Sequence, residues 1–211
     1  NAILRSELRE SDAESIPAPA SEECYGAMAQ HAMDALGKVK KAQAQEGFLM
    51  DAPHVLRGRG ELFGDAQALI NYLEELGHTD MIPGRVKGSV IMASGKARLN
   101  RSIKQTELKW LPQDEASQAI AAVAAELALS VSDTPNILDA CAGRGVKTDY
   151  LHWALDGKAS ISACDVAESK LRKAKELLPS LSTQKADLGS KEPNLSGSYD
   201  FVLVDAPCTG F

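Results

Sequence analysis

The sequence predicts an α/β protein: a parallel sheet alternating with helices, preceded by a small α+β subdomain and an N-terminal helical segment. Three observations carry that prediction. From Asp114 onward, short apolar runs of strand type alternate with helical patterns at the spacing of βαβ units. One strand-to-helix turn holds two glycines, Gly143 and Gly145. The composition, 44% hydrophobic and 25% charged with 5% aromatic residues, suits a folded chain whose core rests on aliphatic side chains and alanine.

Taken in order, Asn1 to Arg9 reads as the end of a helix. Ser15 to Ser21 is a linker, because Pro17 and Pro19 each remove a backbone donor and fix φ. Ser21 is a suitable N-cap for a helix running to about Ala44. Residues 1–45 form the helical segment and linker, and 46–110 the small α+β subdomain. Within the latter, Pro53 to Arg59 is a strand and Asp65 to Leu76 a helix. Ala68, Leu69, Tyr72, Leu73 and Leu76 share one face of that helix, and Gly77 caps its end. Lys87 to Ala93 is a second strand.

Residues 111–211 carry the parallel-sheet pattern. A helix spans about 114–130, its alanine-rich stretch Ala119 to Leu129 reading as buried. Ile137 to Cys141 is a strand, followed by the glycine loop and a helix to about Leu155. Ala159 to Asp165, Leu181 to Ala186 and Tyr199 to Asp205 are further strands, with a helix over Glu168 to Leu178. The chain stops at the tip of the fourth strand, so the sheet is expected to be incomplete.

The net charge of −6 gives no global attraction to nucleic acid. Arg85 to Lys109 is the exception, with seven basic residues against one acidic. Lys96, Arg98, Arg101 and Lys104 are its candidate RNA contacts. No apolar run reaches the roughly 18–20 residues of a membrane span. Cys24, Cys141, Cys164 and Cys208 form no CxxC pair, which points to a reducing cytoplasm rather than a zinc site or a disulfide framework. His31, His54, His78 and His152 lack ligand spacing, so no metal is expected. The chain is expected to be a monomer without membrane association.

The chemistry concentrates at Asn136 to Thr148. An apolar strand ends in Asp139, and the loop with Gly143 and Gly145 opens a helix. Glycine tolerates positive φ there, and a helix N-terminus offers free N–H groups to a ligand. Asp165 ends the next strand, 22 residues after Gly143, where a carboxylate accepts hydrogen bonds from ribose hydroxyls. A nucleoside cofactor follows. Thr148 stands where the third glycine of a dinucleotide loop would be, and the nearby Asp139 repels a pyrophosphate but attracts an ammonium. On charge, S-adenosylmethionine fits better than NAD(P). An NAD(P)-linked oxidoreductase and a catalytically silent RNA-binding fragment remain the alternatives.

Leu138 to Thr148 (Leu-Asp-Ala-Cys-Ala-Gly-Arg-Gly-Val-Lys-Thr) resembles the L-D-x-C-A-A-P-G-G-K-T loop of S-adenosylmethionine-dependent RNA cytosine carbon-5 methyltransferases. Asp205-Ala206-Pro207-Cys208 matches their D-A-P-C motif, and Leu111 to Gln118 is similar to the V-Q-D-x-A-S-Q segment before their catalytic domain. The layout most resembles the bacterial Sun/Fmu (RsmB) enzymes of small-subunit rRNA, and Asn1 to Arg5 is similar to the end of their N-terminal NusB-like domain. The resemblance implies a Rossmann-like methyltransferase sheet and methylation of cytosine carbon-5 in RNA through a covalent cysteine adduct. It implies that Cys141, Ala142, Gly143, Arg144, Gly145, Val146 and Lys147 hold the methionine end of the cofactor. Asp165 then binds the ribose, Asp187 lies beside the adenine, and Asp205 lines the pocket near the reacting groups. Cys208 takes the family's release role, while the nucleophilic cysteine belongs to a later T-C motif. Arg144 and Val146 replace a proline and a glycine of the family loop. Because valine disfavours positive φ, a loop that bends differently or holds the cofactor more weakly is expected.

Overall fold

A computed structural model describes residues 53–93, 107–191 and 193–206; the helix expected over 21–44 lies outside them. His54–Gly58 (β1) is an inner strand of a four-stranded antiparallel sheet. Ser89–Met92 (β3) pairs with it on one side, with Val55 opposite Ile91, and Trp110–Pro112 (β4) on the other, with Arg57 opposite Leu111. Met81–Pro83 (β2) adds to β3, giving the order β2–β3–β1–β4. Neither β2 nor β4 was expected from the sequence. Each is three residues long, ends in a proline and lies at an edge of the sheet, the one place where a missing N–H does not break the ladder.

The helix Ala66–Glu75 (α1) covers this sheet. Asp65 caps it by accepting from the Ala68 N–H at 2.9 Å, and Gly77, at φ 86°, ends it. Leu69, Ile70 and Leu73 pack on Leu56, Val90, Met92 and Trp110. Leu76, expected on the buried face, is exposed instead: it is the C-cap, where the chain leaves the helical path. At the turn between β2 and β3, the Glu115 carboxylate accepts from the Arg85 N–H, from the Val86 N–H at 3.0 Å and from the Ser89 hydroxyl at 2.8 Å. That pins the small sheet to the helix Glu115–Val131 (α2).

The second sheet is parallel throughout. Asn136–Asp139 (β5) pairs with Ser160–Asp165 (β6), which pairs with Ser182–Lys185 (β7), and Phe201–Leu203 (β8) joins the other side of β5. The order β7–β6–β5–β8, with Val146–Ala154 (α3) after β5 and Glu168–Leu177 (α4) after β6, is the predicted α/β architecture. Ala124, Ala125 and Ala128 of α2 pack with Ile137, Leu151, Leu155 and Leu203, while Leu171, Ala174 and Leu178 pack on Ala142 and Ala163. The expectation of a buried α2 is half corrected. Ala121, Ala124, Ala125 and Ala128 face inward, whereas Ile120, Val123, Leu127, Leu129 and Val131 are exposed, because a period of 3.6 residues separates the small side chains from the large ones.

Candidate cofactor site

The site lies at the carboxyl ends of β5, β6 and β8. Strand order reverses there, β6 leaving to one side of β5 and β8 to the other, and an open α/β sheet forms a crevice at such a point. The loop from Cys141 to Gly145 spans that crevice, tied to β8 and β6 at its start and closed by a turn of its own. The Ala140 N–H donates to the Leu203 carbonyl at 2.8 Å, the Ala142 N–H to the Cys164 carbonyl at 2.9 Å, and the Gly145 N–H to the Ala142 carbonyl at 2.9 Å.

The two glycines have different reasons to be there. Gly145 has φ 79°, and a Cβ on it would come within 2.7 Å of the Ala174 Cβ, so α4 can approach only a bare backbone. Gly143 has φ 58°, and a Cβ on it would meet nothing within 4 Å. That open direction is room for a ligand against the loop. Val146, the residue of concern in the sequence, needs no positive φ: it is the first residue of α3, and both left-handed positions fall on glycines. The expectation that valine would bend the loop is corrected on that ground. Arg144 is exposed at the loop's apex.

Asp165 is buried at the tip of β6. Its Oδ2 accepts from the Gly143 N–H at 3.0 Å and its Oδ1 from the Ala167 N–H at 2.8 Å, with the Lys170 ammonium 3.9 Å from Oδ1. A carboxylate has about four lone-pair directions, so two accepted bonds leave capacity for a pair of hydroxyls. Asp187 is exposed after β7, accepting from the Gly189 N–H at 2.9 Å. With Val166, Ala186, Pro193 and Asn194 it lines an open cleft of about 250 Å³ beside the end of β6. The sequence reading did not include Val166. A valine directly after a strand-end carboxylate was the available signal.

Asp139 does not face the crevice. It is 1% exposed and accepts from the Thr148 hydroxyl at 2.7 Å. Burial pushes its pKa up to about 6, against the opposing pull of the Thr148 bond and of Lys147. Its influence on a ligand is therefore through its field, not by contact. Lys147 and Asp205 meet as an ion pair at 2.5 Å, joining the first turn of α3 to the end of β8. Burial, then the carboxylates of Asp165, Asp139 and Asp205, hold the Cys141 thiol above its ordinary pKa, and burial does the same for Cys164. Both are therefore thiols near neutral pH. Cys208, Lys96, Arg98, Arg101 and Lys104 lie outside the described residues. Among the described residues no His, Cys, Asp and Glu cluster suited to a metal ion occurs, and no helix is long and apolar enough to cross a membrane.

The site residues that sequence reasoning missed are three charged side chains behind the loop. Asp149 of α3, fully buried, pairs with Arg57 of β1 at 2.6 Å and with Arg59 at 2.8 Å. The only local signal was an aspartate between Thr148 and the apolar Tyr150-Leu151, on the inward side of its helix.

Comparison with known proteins agrees with the fold. Residues 125–211 match the family described as 16S rRNA methyltransferase RsmB/F. The chain is 30% identical over 105 residues to the probable ribosomal RNA small subunit methyltransferase B of Bacillus subtilis, covering 47% of this chain and 22% of that protein. It is 35% identical over 77 residues to the tRNA (cytosine(72)-C(5))-methyltransferase of Pyrococcus horikoshii, covering 35% and 20%. The chain thus spans about a fifth of the length of these curated relatives. In fold it is similar to NSun6 from Pyrococcus horikoshii, solved with SFG. The TM-score is 0.59 at 15% identity, over 85% of this chain and 69% of the other. Over residues 125–211, then, this chain is similar to the RsmB/F family of 16S rRNA methyltransferases.

Proposed function

We propose that this chain binds S-adenosylmethionine in the crevice between β5 and β6 and serves the methylation of cytosine carbon-5 in RNA, with small-subunit rRNA as the substrate. The observation that carries the reading is Gly143, whose amide is fixed on Asp165 while its missing side chain leaves open space above the loop. When bound, S-adenosylmethionine supplies an electrophilic methyl group. Cys141 to Lys147 cradle its methionine end, the remaining lone pairs of Asp165 take the ribose hydroxyls, and Asp187 with Val166 borders the adenine. Asp205, oriented by Lys147, stands where the reacting groups meet.

Carbon-5 of cytosine becomes nucleophilic only after a thiolate adds at carbon-6, and the carbon-5 proton must later leave so that the thiol can be eliminated. Cys208 serves that release. Residues 46–110, with Lys96, Arg98, Arg101 and Lys104, contact the RNA phosphates, residues 1–45 precede them as a helical connector, and the reaction takes place in the cytoplasm.

Calorimetric titration of the whole chain tests the reading. Saturable binding of S-adenosylmethionine and S-adenosylhomocysteine, with none of NAD, is the expected result. Asp165→Ala should weaken that binding by roughly 1.5–3 kcal/mol, the worth of a charge-assisted acceptor. Binding of NAD alone, or an unchanged dissociation constant in folded Asp165→Ala, overturns the assignment.

A further inference from the structure

Arg57 is 1% exposed, and all three nitrogens of its guanidinium are engaged. Nε donates to Gln113 Oε1 at 2.5 Å and Nη1 to the Gly58 carbonyl at 3.3 Å. Nη2 reaches across to α3, donating to Asp149 Oδ2 at 2.6 Å and to the Val146 carbonyl at 3.1 Å. Those two acceptors lie one helical turn apart, and Val146 directly follows Gly145, the last left-handed residue before the helix. Arg59 completes the arrangement from the same side. Its Nε and Nη2 hold both oxygens of Asp149, while Nη1 donates to the Leu108 carbonyl at 2.8 Å and Nη2 to the Leu177 carbonyl at 3.2 Å. The rings of Tyr150 and Trp153 face the two guanidiniums at 5.5 and 5.9 Å.

Stability alone gives no reason for this arrangement. Well-packed apolar residues in place of a buried ion pair are often neutral or stabilising, because desolvation offsets the attraction. What apolar packing cannot do is fix the direction of a helix end. A guanidinium whose plane is held by Nε on Gln113 and Nη1 on Gly58 aims Nη2 at a carbonyl and a carboxylate one turn apart, and an ammonium has no such plane.

We propose that Arg57 is a positioning residue for the cofactor loop: from the neighbouring sheet it sets the pitch of the first turn of α3, and so the path of Gly143 to Gly145. This rests on the cofactor reading above. The substrate-side sheet and the cofactor loop then behave as one rigid frame through Arg57, with Arg59 locking the carboxylate that Arg57 reads.

The test uses the whole chain with Arg57→Lys and Arg57→Met, each kept well below its unfolding midpoint. Two readouts are taken: titration with S-adenosylhomocysteine, and amide hydrogen exchange read by peptide. Both variants are expected to raise the dissociation constant about tenfold through loss of preorganisation. They should also speed exchange over 143–149 about tenfold while leaving β6 and β7 as in the parent. Charge retained in Arg57→Lys without recovery of affinity marks geometry, not field, as the cause. Exchange that quickens evenly over 53–206, or a loop that does not change, overturns the proposal. If even the parent binds no S-adenosylhomocysteine, the cofactor reading falls and the exchange pattern alone decides the role of Arg57. Should Arg57→Met fail to fold, Arg57→Lys carries both readouts.

Discussion

Asp139 shows how a single residue ties stability to pH at this site. Its carboxyl, ordinarily near 3.8, is held up to about 6 by burial. The folded protein thus binds that proton more tightly than the unfolded chain. Stability is greatest below about pH 4 as far as this group is concerned, and is lost as pH rises through 6, by an amount on the order of 3 kcal/mol. Asp139→Asn removes the buried charge, and its amide can donate to the Thr148 hydroxyl, which both donates and accepts. The variant is expected to melt several degrees above the parent at pH 8 and close to it at pH 4. An equal gap at both pH values would exclude the carboxyl as the source. At this scale the sequence was legible where chemistry is local: Gly143, Gly145 and Asp165 were marked by their spacing along one βαβ unit. Arg57 and Asp149 were not, since they sit 92 residues apart and nothing in the strand expected over Pro53 to Arg59 marks its arginines as buried.

Between residue and element lies the loop, and its two glycines separate stability from binding. Gly145→Ala places a Cβ against Ala174 at a left-handed φ and is expected to destabilise by roughly 2–4 kcal/mol, from overpacking and strain together. Gly143→Ala meets open space, so its cost is the left-handed conformation alone, roughly 1–2 kcal/mol, but it fills the cradle. Melting curves and S-adenosylhomocysteine titrations should therefore rank the two variants in opposite orders. The same ranking by both measurements would mean that the open face of Gly143 is not where the ligand lies. Elements with a strong period were legible: α1, α3, α4 and the parallel strands stand within a few residues of expectation. The edge strands β2 and β4 were not. Their prolines suppress the strand signal, and only pairing with β3 and β1 makes strands of them. In α2 the high apolar content hid an inward alanine face and an outward face of larger side chains.

For the whole molecule, the fold class followed from alternation of strands and helices. The division at residue 110 did not anticipate that Trp110–Pro112 closes the small sheet while leading directly into α2. The basic run belongs to this scale as well, because RNA affinity sums over many phosphates. Replacing Lys96, Arg98 and Arg101 by alanine is expected to weaken RNA binding. It should also lower the slope of log affinity against log salt by roughly 2–3, since each lost phosphate contact contributes about 0.7–0.9. A filter-binding series at several salt concentrations measures it, and an unchanged slope would mark the run as a solvated face.

The shared carboxylate of Asp149 also sets a clock. On a ribosome adding roughly 5–20 residues per second, Asp149 is joined about 5–20 s after Arg57. Until then Arg57 of the small sheet is without the carboxylate that it meets in the finished fold, and the nascent strand has reason to leave it hydrated. The antiparallel sheet, first in the chain, is thus expected to close late. Its completion waits for the helix that carries the cofactor loop, so a protein caught half made would present neither surface.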